Sequence, residues 1–228
     1  MLRRSPSQIR SYSQKVDPSK AYNFLPAKTT NFDEIVNLCV DEFIRVEPHC
    51  RALNVTANGA RSAFEYLAAK SLHYPYSYRI YEKGSDKLIG FRLMSIGYRD
   101  HSLEVEPIPY VEPNEAGMKR IMKILDESKA KMWQWADPGV QKVMRREVTY
   151  VSPRHQRKGI AQHLLHLGLD FNALRKDGFH GITSEASSLA NQTLLSKNGY
   201  TCVSKPNYKL DMHDGNEGIK VFFKDLRK

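Results

Sequence analysis

Hydrophobic positions recur along this chain with two periods, and the switches between them mark out the elements. Ile35, Leu38, Cys39, Phe43 and Val46 fall three or four residues apart and define the apolar stripe of a first helix. Asn31 stands where an N-cap is expected, Glu34 three residues on completes a capping box, and Pro48 marks the end. A second stripe of Ala60, Phe64, Leu67 and Ala68 predicts a helix over 59–71. Residues 76–82 and 88–96 have strand character, and Lys83-Gly84-Ser85-Asp86 between them reads as a hairpin turn. A proline-bearing loop over 100–113 follows. Met118, Ile121, Met122 and Leu125 then mark a long helix that stops before Pro138-Gly139. A short strand over 22–25 precedes all of these, and residues 17–20 read as a linker.

The second half is patterned more strongly. Residues 147–151 are rich in β-formers and predict a central strand. Ile160, Leu164, Leu167, Phe171 and Leu174, spaced 4, 3, 4 and 3, predict one helix punctuated by Gly178. A strand over 180–183, a helix over 189–197 and strands over 200–203 and 220–223 complete the chain. Strands and helices mixed in this order, with no internal repeat, predict a layered α/β (α+β) fold on one sheet.

Composition narrows the function. No apolar run approaches bilayer length, and 228 residues suffice for one well-buried domain, expected over 21–228. The formal charge of +10 favours anionic partners, with +4 of it in the first 20 residues. Elsewhere the basic residues are scattered among acids without an aromatic array, so a phosphorylated cofactor fits better than nucleic acid. Cys39, Cys50 and Cys202 fit neither a disulfide framework nor a zinc site, which indicates a reducing compartment rather than secretion. His163 and His166 share a helical face without a third ligand, so no metal is expected. Residues 1–16 carry Arg3, Arg4 and Arg10, many serines and no acid, a composition that resembles a mitochondrial transit peptide. A cytoplasmic protein with a basic tail is the alternative reading, and both stay open here.

The candidate chemistry lies between the central strand and the helix after it. Ser152-Pro153-Arg154-His155-Gln156-Arg157-Lys158-Gly159-Ile160-Ala161 ends at a helix N-terminus, whose unpaired N–H groups bind phosphate without side chains. Gly159 permits close backbone approach, Ala161 keeps the next turn small, and Arg154, Arg157 and Lys158 add positive charge. An anion site over 156–161 follows from these residues alone.

Gln156-x-x-Gly159-x-Ala161 in this context, with Asn198-Gly199-Tyr200 about forty residues later, resembles the GNAT superfamily of N-acetyltransferases. The resemblance implies a mixed sheet of about six to seven strands flanked by helices, with acetyl-coenzyme A as co-substrate. It implies that Thr149, Tyr150 and Val151 of the strand, Gln156, Arg157, Lys158, Gly159, Ile160 and Ala161 of the loop, and Asn191 contact the cofactor. Phe43-Ile44-Arg45-Val46-Glu47-Pro48 is similar to the Glu-Pro motif of insect arylalkylamine N-acetyltransferases. That likeness implies Glu47 as general base, with Ser187 as a catalytic partner. Asn191 departs from the subgroup's second serine, and Leu195 stands where many other GNAT members carry a tyrosine acid. Glu147, on the central strand between arginines and Val148, is the competing base. The expected partner is a primary amine, an arylalkylamine by the narrower likeness. A polyamine, a protein amine or a non-catalytic acyl-coenzyme A module are the alternatives, in a monomer or dimer. Tyr66, Tyr74, Tyr76 and Tyr78 are candidates for an aromatic pocket or for plain packing.

Overall fold

The computed structural model describes residues 17–227; the expected transit peptide lies outside them. Seven strands form one sheet in the order β1-β2-β3-β4-β5-β7-β6. They are β1 (Tyr22–Pro26), β2 (Tyr78–Glu82), β3 (Leu88–Tyr98), β4 (Lys142–Val151), β5 (Gly181–Ala186), β6 (Thr201–Ser204) and β7 (Lys220–Asp225). Every pairing is antiparallel except β4 with β5. The helices are α1 (Phe32–Asp41), α2 (Pro48–Ala52), α3 (Ala57–Leu72), α4 (Ala116–Trp135), α5 (Ile160–Leu164), α6 (Phe171–Lys176) and α7 (Leu189–Ser196).

Alternation along the strands assigns a core to each face. Phe91 and Leu93 of β3 and Val148 and Tyr150 of β4 bury against α1, α3 and the start of α4. Met94, Ile96, Met144 and Ile182 point the other way, beneath α6 and α7. On β4 the parity reverses, Met144 facing one core and Val148 and Tyr150 the other, because of a bulge: Leu93 pairs with Val148 and Met94 with Arg146, which leaves Glu147 as the extra residue.

Several local expectations are corrected. Asn31 does not cap α1; its side chain accepts from the Lys28 N–H at 2.9 Å, while Glu34 binds Arg79 and Tyr81. Helix α1 stops at Asp41, a 3-10 turn over Phe43–Arg45 follows, and Pro48 opens α2 instead of closing α1. Proline's fixed φ and missing N–H suit a first helical position. Residues 17–20 form a capped 3-10 turn, not a bare linker. The helix expected over 160–174 is two, α5 and α6. Gly168 turns the chain at φ +65°, where Tyr78 leaves no room for a Cβ, and Asp170 caps α6 by accepting from Asn172 and Ala173.

Candidate active site

The parallel ladder between β4 and β5 joins only Val143, Met144 and Arg145 to Gly181, Ile182 and Thr183. Beyond it, Arg146 to Val151 have no partner on β5, and the two strands diverge. A cavity of about 990 Å³ opens in the gap, inside the usual size range for small-molecule sites. The Ser184 hydroxyl bridges the vertex, donating to the Arg146 carbonyl at 3.4 Å.

The 156–161 loop closes one end. Gly159 is the N-cap of α5 at φ +80°, and Arg157 is also left-handed at φ +63°. Gln156 ties the loop to the sheet, donating from Nε2 to the Val151 carbonyl at 2.9 Å. Gln156, Arg157, Gly159, Ile160 and Ala161 line the cavity, as do Thr149, Tyr150, Val151 and Asn191. Lys158 does not; it is exposed beside the loop. The Tyr150 hydroxyl points away and donates to Glu42 at 2.9 Å, so this residue faces the cavity only in part. At five residues, α5 carries less of a dipole than the expected long helix, and the loop N–H groups are left to do more of any anion binding.

Glu47 and Ser187 come together at the cavity from elements 140 residues apart. Glu47 caps α2: its carboxylate accepts from the Cys50 N–H at 2.6 Å and meets His49 Nδ1 at 3.2 Å. A carboxylate can only accept, so Nδ1 carries a proton toward it. His49 Nε2 in turn lies 2.8 Å from the Tyr208 hydroxyl, which accepts from the Ile219 N–H at 2.7 Å. Burial pushes the Glu47 carboxyl up, but the His49 hydrogen bond and charge, the Cys50 N–H and the Ser187 hydroxyl outweigh it, and its pKa is lowered. Ser187 is not the cap of α7. Ser188 is, accepting from the Asn191 N–H, which leaves the Ser187 hydroxyl to Glu47. Sequence reading missed His49 and Tyr208, because a relay between residues 159 positions apart leaves no local pattern.

Glu147 also lines the cavity, on the α4 side of the vertex. Burial raises its pKa, yet Lys129, Arg145 and a 2.5 Å bond from Ser95 outweigh that and lower it. Arg146 takes no part, since strand alternation puts its side chain on the opposite face. Both candidate bases are therefore held low, and pKa does not separate them. Glu185 and Asp214, which the sequence reading passed over, are further cavity carboxylates, and of the four Glu185 is the one whose pKa is raised, by burial and by Glu147.

The four tyrosines do not form a pocket. Tyr66 bonds to Glu106, Tyr74 and Tyr76 pack in the core beneath α6, and Tyr78 stacks on Arg92. His163 packs on Phe24 and His166 on Phe171. Among the described residues no three His, Cys, Asp or Glu side chains gather to hold a metal ion, and no helix is long and apolar enough to cross a membrane.

Solved structures share this fold. Arylalkylamine N-acetyltransferase 2 of Aedes aegypti superposes with a TM-score of 0.72 over 90% of this chain and 99% of its own, at 20% identity. The chain has the GNAT fold. An agmatine N-acetyltransferase matches with a TM-score of 0.71 over 90% of this chain and 99% of its own, at 9% identity. A Drosophila melanogaster polyamine N-acetyltransferase matches with a TM-score of 0.66 over the same shares, at 9% identity. No protein-family model and no curated protein matches the sequence. Each of these three structures is matched over nearly its whole length.

Proposed function

We propose that the protein transfers the acetyl group of acetyl-coenzyme A to a primary amine, with Glu47 as general base. The supporting observation is a single cavity with the glycine loop at one end and a buried carboxylate, paired to a serine hydroxyl, at its wall. The pyrophosphate lies on the 156–161 loop, and the pantetheine arm runs in the gap beside Thr149, Tyr150 and Val151, where β4 has backbone groups to spare. The neutral amine attacks the thioester carbonyl; a C–N bond forms, the C–S bond breaks, and coenzyme A leaves as thiolate. The proton shed by nitrogen goes to Glu47, directly or through water. An alkylamine of pKa about 10.4 is neutral in only about one molecule per thousand at pH 7, so proton uptake matters to the rate.

Phe43, Val46 and Pro48 make the wall beside Glu47 apolar, which supports an arylalkylamine as acceptor. Glu147 and Glu185 at the vertex support the second reading, a polyamine whose distal ammonium reaches them. Release of free coenzyme A against dopamine, tyramine, spermidine and a lysine peptide tests both. Turnover with one class and not the other decides between them, and binding of acetyl-coenzyme A without turnover on any amine would overturn the catalytic reading.

A further inference from the structure

At the vertex of the β4–β5 gap, on the face of β4 opposite Glu147, lies a cation without an ion-pair partner among the described residues. Arg146 is the first β4 residue past the ladder, is 3% exposed and lines the cavity. Among the described residues its guanidinium reaches only the Thr149 hydroxyl, at a long 3.4 Å, and its second terminal nitrogen is buried without a hydrogen-bond partner. Among the described residues it makes no ion pair. Its chain neighbour Arg145, on the opposite face, is held by Glu104 at 3.0 Å. The surroundings of Arg146 add positive charge. Arg92, fully buried on β3 opposite Thr149, gives its terminal nitrogens to the carbonyls of Leu164 and Tyr76. Burial and the charge of Arg146 bring the Arg92 pKa down to about 9. The Tyr200 hydroxyl, within electrostatic reach of both guanidiniums, is buried and also unpartnered.

An ionised group taken from water costs several kcal/mol unless an opposite charge and hydrogen bonds replace the solvent. Here the replacement is missing, in a residue that lines the cavity. We propose that Arg146, with Tyr200 behind it, is a subsite for a carboxylate carried into the cavity by a substrate. A guanidinium's planar fork suits that group. This rests on the cavity binding a coenzyme A thioester as argued above. The vertex lies at the far end of the gap from the 156–161 loop, where the end of the acyl chain arrives. A donor acyl group ending in a carboxylate therefore fits better than a carboxylate on the acceptor amine.

The test compares succinyl-coenzyme A with butyryl-coenzyme A, an uncharged donor of the same chain length, by kcat/KM with one amine. Parent protein should prefer the succinyl donor by tenfold or more. Arg146→Met should erase the preference, Arg146→Lys should keep part of it, and Tyr200→Phe should weaken it a few-fold. A second arm uses acetyl-coenzyme A with β-alanine against propylamine; a preference here that Arg146→Met erases places the carboxylate on the acceptor. A third arm needs no thioester: free succinate should raise the Tm of the parent and not of Arg146→Met. Equal ratios in parent and Arg146→Met in both kinetic arms, with no succinate effect on Tm, overturn the subsite. If coenzyme A itself fails to bind, the proposed function falls, and the succinate arm still decides the subsite.

Discussion

Replacing Glu47 with glutamine changes the candidate base by one heavy atom and leaves most of its surroundings intact. The carboxylate accepts from the Cys50 N–H, from His49 and from the Ser187 hydroxyl. In the variant the amide oxygen keeps the Cys50 bond, preserving the cap of α2. The amide NH2 then meets His49 Nδ1, which accepts if the imidazole moves its proton to Nε2 and donates to the Tyr208 oxygen. The cost is therefore the difference between charged and neutral hydrogen bonds, about 1–2 kcal/mol, or a Tm lower by a few degrees. The fold survives, so activity reads chemistry. Loss of a general base should lower kcat by about 10²–10⁴, equivalent to about 3–5 kcal/mol of barrier, with acetyl-coenzyme A affinity unchanged. Stopped-flow detection of coenzyme A thiol across pH 3–9, which extends below the ordinary carboxylate value of 4.5, gives kcat and its profile. The parent needs Glu47 ionised, so its rate falls as pH drops through the lowered pKa, and the variant should lose that acidic limb. Near-parental kcat in Glu47→Gln, with a large loss in Glu147→Gln, would refute the assignment and give the role to the strand carboxylate.

Three further outcomes follow from the geometry. Gly159→Leu forces a branched side chain into a left-handed position at φ +80° over the loop, and calorimetry should show acetyl-coenzyme A bound at least tenfold more weakly, about 1.4 kcal/mol. His49→Leu removes the chief influence that lowers the Glu47 pKa, so the acidic limb of kcat should move to higher pH; an unmoved limb would separate His49 from the base. Glu104, buried against Lys70 at 2.7 Å and Arg145 at 3.0 Å, has its pKa brought from 4.5 to about 2. A depressed carboxylate stabilises above its unfolded pKa and loses that stabilisation as pH falls through its folded one. Glu104→Gln should therefore cost on the order of 3 kcal/mol near neutral pH in urea titrations, with the deficit shrinking between pH 4.5 and 2.

The sequence was most legible where a period ran long enough to be counted. The stripes of α3 and α4 stand within a few residues of where the pattern puts them, because each helix buries one face on the sheet, and β3 does too, whereas β4 begins at Lys142, five residues before the expected 147–151. Misreadings came where a short signal had two meanings. The 4-3-4-3 spacing from Ile160 to Leu174 outweighed Gly168 and Asp170, although a glycine stop and an aspartate cap were both in view. Glu47-Pro48 was read as a helix end because glutamate is not a favoured N-cap, and only the carboxylate's bond to Cys50 reveals the start of α2. Of the site, the glycine loop was legible as a contiguous segment, and Glu47 and Ser187 through resemblance. Glu185, His49 with Tyr208, and the isolation of Arg146 were not, since a bulge and contacts across the whole chain create them.

The diverging strands have a consequence beyond the reaction. Six residues of β4 lack the neighbour that a central strand ordinarily has, so the sheet is knit through β4–β5 by only three residue pairs. A bound pantetheine arm, with amides of its own, would occupy the missing register as if it were a strand. The empty protein would then open along this seam, exchanging the amide hydrogens of residues 146–151 faster than those of β3, and binding would slow that exchange. Survival of the chain against proteases would rise and fall with the supply of its thioester, tying the amount of this protein in a cell to the metabolism that feeds it.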